Sequence, residues 1–84
     1  MSYALVIERA AQKSLTKISP PHRDRVIRAI EELANDPRPP GVKKLRQREA
    51  WRLRVGAYRV IYEIHENEVM VLVVRVRHRR EAYR

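Results

Sequence analysis

The sequence predicts an α+β domain in which two N-terminal helices cover one face of a four-stranded, mainly antiparallel sheet, in the order β-α-α-β-β-β with a short C-terminal helix or tail. Three observations carry that expectation. Helical spacing of apolar residues is confined to the first half of the chain, alternating β-branched and aromatic runs fill the second half, and a proline-rich loop separates them. At 84 residues there is room for one modest core, so residues 1–84 read as a single domain.

Residues 2–8 form a short β-rich run, and from Glu8 to Lys17 the pattern switches to helical spacing, with Ala11, Leu15 and Ile18 at i, i+4 and i+7. Ser19-Pro20-Pro21 breaks that helix and opens another, with Ser19 as N-cap and proline in the first turn. The second helix places Val26, Ile27, Ile30, Leu33 and Ala34 on one stripe, and Asn35-Asp36-Pro37 ends it. Three prolines and a glycine between Pro37 and Gly41 make a stiff loop, which leads into the extended, exposed basic run Lys43–Arg48. Trp51–Val55, Tyr58–His65 and Val69–Arg77 then read as three strands of an antiparallel meander. Arg79–Arg84 is left as a short helix or tail.

Val55-Gly56-Ala57-Tyr58 fits a two-residue hairpin with glycine at the first central position, where a type II′ turn requires it. That turn fixes a register: Val55 opposite Tyr58, Arg54 opposite Arg59, Leu53 opposite Val60 and Arg52 opposite Ile61. Trp51, Leu53, Val55, Tyr58, Val60, Tyr62 and Ile64 then share the face that packs on the helices, while Arg52, Arg54 and Arg59 share the other. Trp51 accordingly reads as core and not as a base-stacking platform. Two arginines abreast on a hairpin cost up to about 1 kcal/mol relative to a neutral pair, an expense that makes sense where a polyanion occupies the face.

Composition points the same way. There are 19 Lys and Arg against 10 Asp and Glu, a formal charge of +9. The cations cluster at Lys43, Lys44, Arg46, Arg48, Arg52, Arg54 and Arg59, and again at Arg75, Arg77, Arg79, Arg80 and Arg84. Segregated cations of this kind are the footprint of a phosphate-bearing or strongly acidic partner. With no cysteine, neither disulfides nor thiolate metal sites are available. The start has no basic leader and no segment approaches bilayer length, so a cytoplasmic protein with no membrane partner is expected.

There is no glycine-rich phosphate loop, cysteine nucleophile, HExxH or carboxylate cluster, so no metal site or cofactor is expected. RNA cleavage remains open to such a chain, because the 2′-hydroxyl can attack the adjacent phosphate given a base, an acid and cations for the charge growing on phosphorus. Arginines meet the last need but are poor proton donors at neutral pH. A tyrosine among arginines has its pKa drawn below the usual value of about 10, which makes Tyr83 the candidate base and His78 a second candidate.

Lys43-Lys44-Leu45, the segment from Trp51 to Tyr62, and the ending His78-Arg79-Arg80-Glu81-Ala82-Tyr83-Arg84 together resemble the RelE branch of the RelE/ParE toxin superfamily, over nearly the whole chain. The resemblance implies the toxin of a type II toxin–antitoxin system, a ribosome-dependent endoribonuclease that cuts messenger RNA in the ribosomal A site without a metal. It implies three catalytic positions: Arg59 stabilising the transition state, Arg79 on the phosphate or leaving group, and Tyr83 as base or stacking group. Lys43, Lys44, Arg52, Arg54, Arg77 and His78 would bind substrate, with Arg52 and Arg54 standing where some members carry lysine. The implied partners are the ribosome, its messenger and a RelB-type antitoxin in a hetero-oligomer. Two other classes stay open: a ParE-like gyrase-poisoning toxin, and a nucleic-acid-binding module without catalysis.

Overall fold

The computed structural model describes residues 2–82, with side chains through Arg80. The elements are β1 (Ala4–Ile7), α1 (Arg9–Thr16), α2 (Pro20–Glu32), β2 (Lys43–Lys44), β3 (Trp51–Val55), β4 (Tyr58–His65), β5 (Met70–His78) and α3 (Arg79–Ala82). Five strands form one sheet in the order β1-β5-β4-β3-β2. β1 runs parallel to β5, and the other three pairings are antiparallel.

The sheet has five strands where the sequence predicts four. The addition is β2, in which Lys43 pairs with Arg52 and Lys44 with Trp51. Two residues are too few to show a period of two, so this run reads from sequence only as extended chain.

α1 is only eight residues long and has no side-chain cap hydrogen bond at Glu8. A helix this short is marginal by itself, so packing holds it: Ala11 and Leu15 are buried against the sheet. Gln12 also clamps its start, donating from Nε2 to the Ile7 carbonyl at 2.7 Å. Ser19 occupies the N-cap position of α2 with extended backbone, as predicted, but its hydroxyl makes no capping bond. Pro21 explains part of this, since it removes one of the two amides such a bond would use.

The core lies on one side of the sheet. Ala11, Leu15, Ile18, Val26, Ile30 and Leu33 from the helical layer meet Val60, Tyr62, Val71, Val73 and Val76 from the strands. Each large apolar side chain so buried contributes about 1.5–3 kcal/mol. Tyr62 is fully buried and donates its hydroxyl to the Pro37 carbonyl at 2.6 Å. That bond ties the proline-rich loop to the centre of the sheet.

The β3–β4 register is the one the turn predicts, with Arg54 opposite Arg59 and Val55 opposite Tyr58. Of the two central turn residues only Gly56 has positive φ, at 59°, which is the type II′ pattern. Between β4 and β5 the ladder slips: Ile61 pairs with Arg75 but Tyr62 with Val73, leaving Val74 as an extra residue. This bulge puts Val73 and Val76 on the same face although they are three residues apart, and so turns Arg75 and Arg77 onto the uncovered side.

Candidate nucleic-acid interface

Pairing across the sheet assembles the uncovered face row by row. One row holds Lys43, Arg52, Ile61 and Arg75, and the next holds Arg54, Arg59 and Arg77. Side chains directly opposite on neighbouring strands stand about 5 Å apart at Cβ, so the Arg54–Arg59–Arg77 row is a line of close cationic neighbours, while Ile61 separates Arg52 from Arg75 in the other. A groove of about 410 Å³ runs between them, walled by Arg48, Arg52, Arg59, Arg75 and Arg77 over Leu45 and Ile61. A smaller one of about 200 Å³ continues past Lys43 and Arg54 to Gly41. Among the described residues no carboxylate lies within ion-pair distance of Arg52, Arg54, Arg75 or Arg77. These guanidinium groups therefore converge on one surface instead of being neutralised within the chain.

An acidic group enters at the border. Glu63 of β4 accepts from Arg48 at 3.4 Å and pairs with His65 at 2.8 Å. Among the described residues no group of three His, Asp or Glu side chains is arranged to hold a metal ion. Among the described residues no helix is long and apolar enough to cross a membrane.

Two of the predicted binding residues stand apart from this face. Lys44 pairs with Trp51 on the helix side, and its Nζ reaches Glu49 at 3.2 Å. His78 pairs with Tyr58, also on the helix side, and the two rings meet edge to face at 5.2 Å. Its Nδ1 accepts the Arg80 amide at 3.2 Å, which ties the imidazole to the start of α3. Arg79 is exposed and donates its amide to Ala57 at 2.7 Å, placing it beside the hairpin turn at the end of the Arg54–Arg59–Arg77 row. Tyr83 lies outside the described residues. Trp51 packs against the core with the Arg38 guanidinium 5.2 Å from its ring centre, which agrees with its reading as a core residue.

A protein-family model described as the ParE toxin of the type II toxin–antitoxin system parDE matches residues 5–83. The chain belongs to this toxin family. Solved structures similar to it include RelE toxins and RelE–RelB complexes. The toxin is similar to that in the RelE–RelB complex of Pyrococcus horikoshii, with 26% identity and a TM-score of 0.84 over 94% of this chain and 97% of that one. It also resembles a chain of the RelBE complex of Mycobacterium tuberculosis, with 27% identity and a TM-score of 0.81 over 93% and 99%. The intact E. coli RelBE complex gives 27% and 0.76 over 89% and 94%. No curated protein sequence matches the toxin significantly.

Two groove arginines of the toxin, Arg48 and Arg75, lie outside the site that the sequence predicts. Arg75 carried a signal, its i, i+2 spacing from Arg77, although the bulge decides which face the pair takes. Arg48 carried none, because it reaches the groove from the β2–β3 loop, where no period applies. The assembled face offers guanidinium forks that bind phosphate oxygens and stay charged at any working pH.

Proposed function

We propose that this toxin is an endoribonuclease that cuts messenger RNA in the ribosomal A site. The observation that carries the reading is the line of Arg54, Arg59 and Arg77 abreast on the uncovered face, flanked by Arg52 and Arg75 around one groove. Lys43, Arg52, Arg54 and Arg77 grip the ribose-phosphate chain. The substrate's own 2′-oxygen attacks the adjacent phosphorus, the bond to the 5′-oxygen breaks, and a cyclic phosphate and a 5′-hydroxyl result. Charge grows on the phosphoryl oxygens during that step, where Arg59 and the neighbouring guanidinium groups stabilise it. Arg79 serves the phosphate or the leaving oxygen, and Tyr83 takes the 2′-proton or stacks on a base. His78, on the opposite face, acts on RNA only indirectly. The antitoxins in the related complexes support a RelB-type partner that covers the arginines, and the reaction belongs in the cytoplasm with the ribosome.

Expression of the wild type beside Arg59→Ala and Tyr83→Phe tests this. Wild type is expected to arrest growth and leave new 5′ ends within translated messages, and both variants to lose most of that effect. Full toxicity and unchanged cleavage in Arg59→Ala and Arg79→Ala would overturn the site assignment. The ParE name of the matching family model favours one second reading, a gyrase poison. Purified toxin that blocks gyrase supercoiling and leaves cell-free translation running would establish that reading instead.

A further inference from the structure

Arg48, an arginine of the groove, pairs with a carboxylate of β4, and the pair is loose. Its guanidinium stands 3.4 Å from Glu63, at the outer limit of a hydrogen bond, with the Arg48 side chain 48% exposed. Arg48 also borders two grooves at once: the one between the arginine rows, and a second of about 420 Å³ at the margin of β5 and α1, lined by Glu8, Ser14, Glu63, Arg75 and Arg77. Glu63 would stand as an obstacle to any phosphate chain crossing from one groove to the other.

Its second partner resolves the difficulty. One carboxylate oxygen faces Arg48 while the other pairs with His65 Nε2 at 2.8 Å. If Arg48 leaves, Glu63, whose side chain is 28% exposed, keeps a hydrogen bond and is not orphaned. A long arginine on a loop, held by one loose and exchangeable contact, has what it needs to swap carboxylate for phosphate.

Resting on the ribonuclease reading, we propose that Arg48 is a phosphate-binding residue held in reserve by Glu63: RNA entering the groove takes the guanidinium from the carboxylate, and His65 keeps Glu63 paired afterwards. Glu63 thereby restrains binding, and its effect passes through Arg48.

Anisotropy titrations of the full-length toxin with a 2′-O-methylated, uncleavable single-stranded RNA, over a range of salt, test the exchange. Thermal melts of each variant check that it remains folded. Glu63→Gln is expected to bind roughly two- to five-fold more tightly, the range spanned by an exposed ion pair. Arg48→Gln is expected to bind more weakly and to lower the slope of log K against log salt by about 0.7, one single-strand phosphate contact. In the double variant the gain from Glu63→Gln should vanish. A gain that persists without Arg48 means the carboxylate merely repels RNA, and it overturns the proposal, as does an Arg48→Gln variant with unchanged affinity and slope. The expected binding pattern in a toxin that leaves messages intact would overturn the nuclease reading and leave the exchange standing. Wild type that fails to bind RNA at low salt would overturn both.

Discussion

Tyr62 joins three parts of the molecule through one hydroxyl. It is fully buried, sits at the slipped register of β4 and β5, and holds the loop after α2 through the Pro37 carbonyl. Burial pushes its hydroxyl up to about 12. A pKa raised in the folded state means that folding favours the protonated form, so this stabilisation is complete below the ordinary value of about 10 and is lost as pH climbs toward 12. Tyr62→Phe leaves the Pro37 carbonyl unpaired, at a cost of about 1–3 kcal/mol near neutrality. Denaturant unfolding at a series of pH values is expected to show the gap between wild type and Tyr62→Phe closing between pH 10 and 12. A gap constant across that window would show that the hydroxyl does not titrate with unfolding. Sequence alternation places Tyr62 on the core face but says nothing about Pro37, whose carbonyl arrives there only through the course of the loop.

At the scale of elements, legibility followed the length of the pattern. The β3–β4 hairpin was readable because Gly56 selects the turn, the turn selects the register, and five alternating residues on each side agree with it. β2 is too short to alternate. The bulge at Val74 was hidden because Val73-Val74 reads as continuous strand, and only the pairing with β4 reveals the extra residue. For the same reason the cluster containing Arg52, Arg54 and Arg59 could be assigned to one face from the sequence, while Lys44 and His78, basic residues in basic segments, turned out to face the helices. The β4–β5 turn supplies a test of its own. Val69 there has φ of 48° and is 38% exposed. Left-handed backbone costs a β-branched residue about 1–2 kcal/mol, and asparagine tolerates it far better. Val69→Asn is expected to raise stability by about 1 kcal/mol, read as a higher urea midpoint with unchanged slope. The Val69 backbone bonds to Ala4 and Glu66 can all be kept. A lower midpoint would show that the valine's packing outweighs its strain.

Over the whole molecule, the charge of +9 is concentrated where it is most costly to the free toxin. Arg54 faces Arg59, and Arg59 faces Arg77, on an uncovered sheet. Each such like-charge pair opposes folding by up to about 1 kcal/mol, a cost that a polyanion lying along the row would offset. Simple salt relieves this poorly, because screening at physiological strength acts over about 8 Å while neighbouring Cβ atoms stand about 5 Å apart. A multivalent anion lying along the row contacts the charges directly and binds only the folded arrangement, so it should stabilise by mass action. Inorganic polyphosphate is therefore expected to raise the melting temperature of the free toxin well beyond sodium chloride of equal ionic strength. The scale is roughly 4–8 °C for each kcal/mol gained in a domain of this size. Arg54→Gln removes one member of the row at an exposed position, so the free variant should melt a few degrees above wild type and gain less from polyphosphate. If Arg54→Gln instead melts lower and responds to polyphosphate as wild type does, the arginines are not strained against one another, and their alignment would need a cause other than an anionic partner.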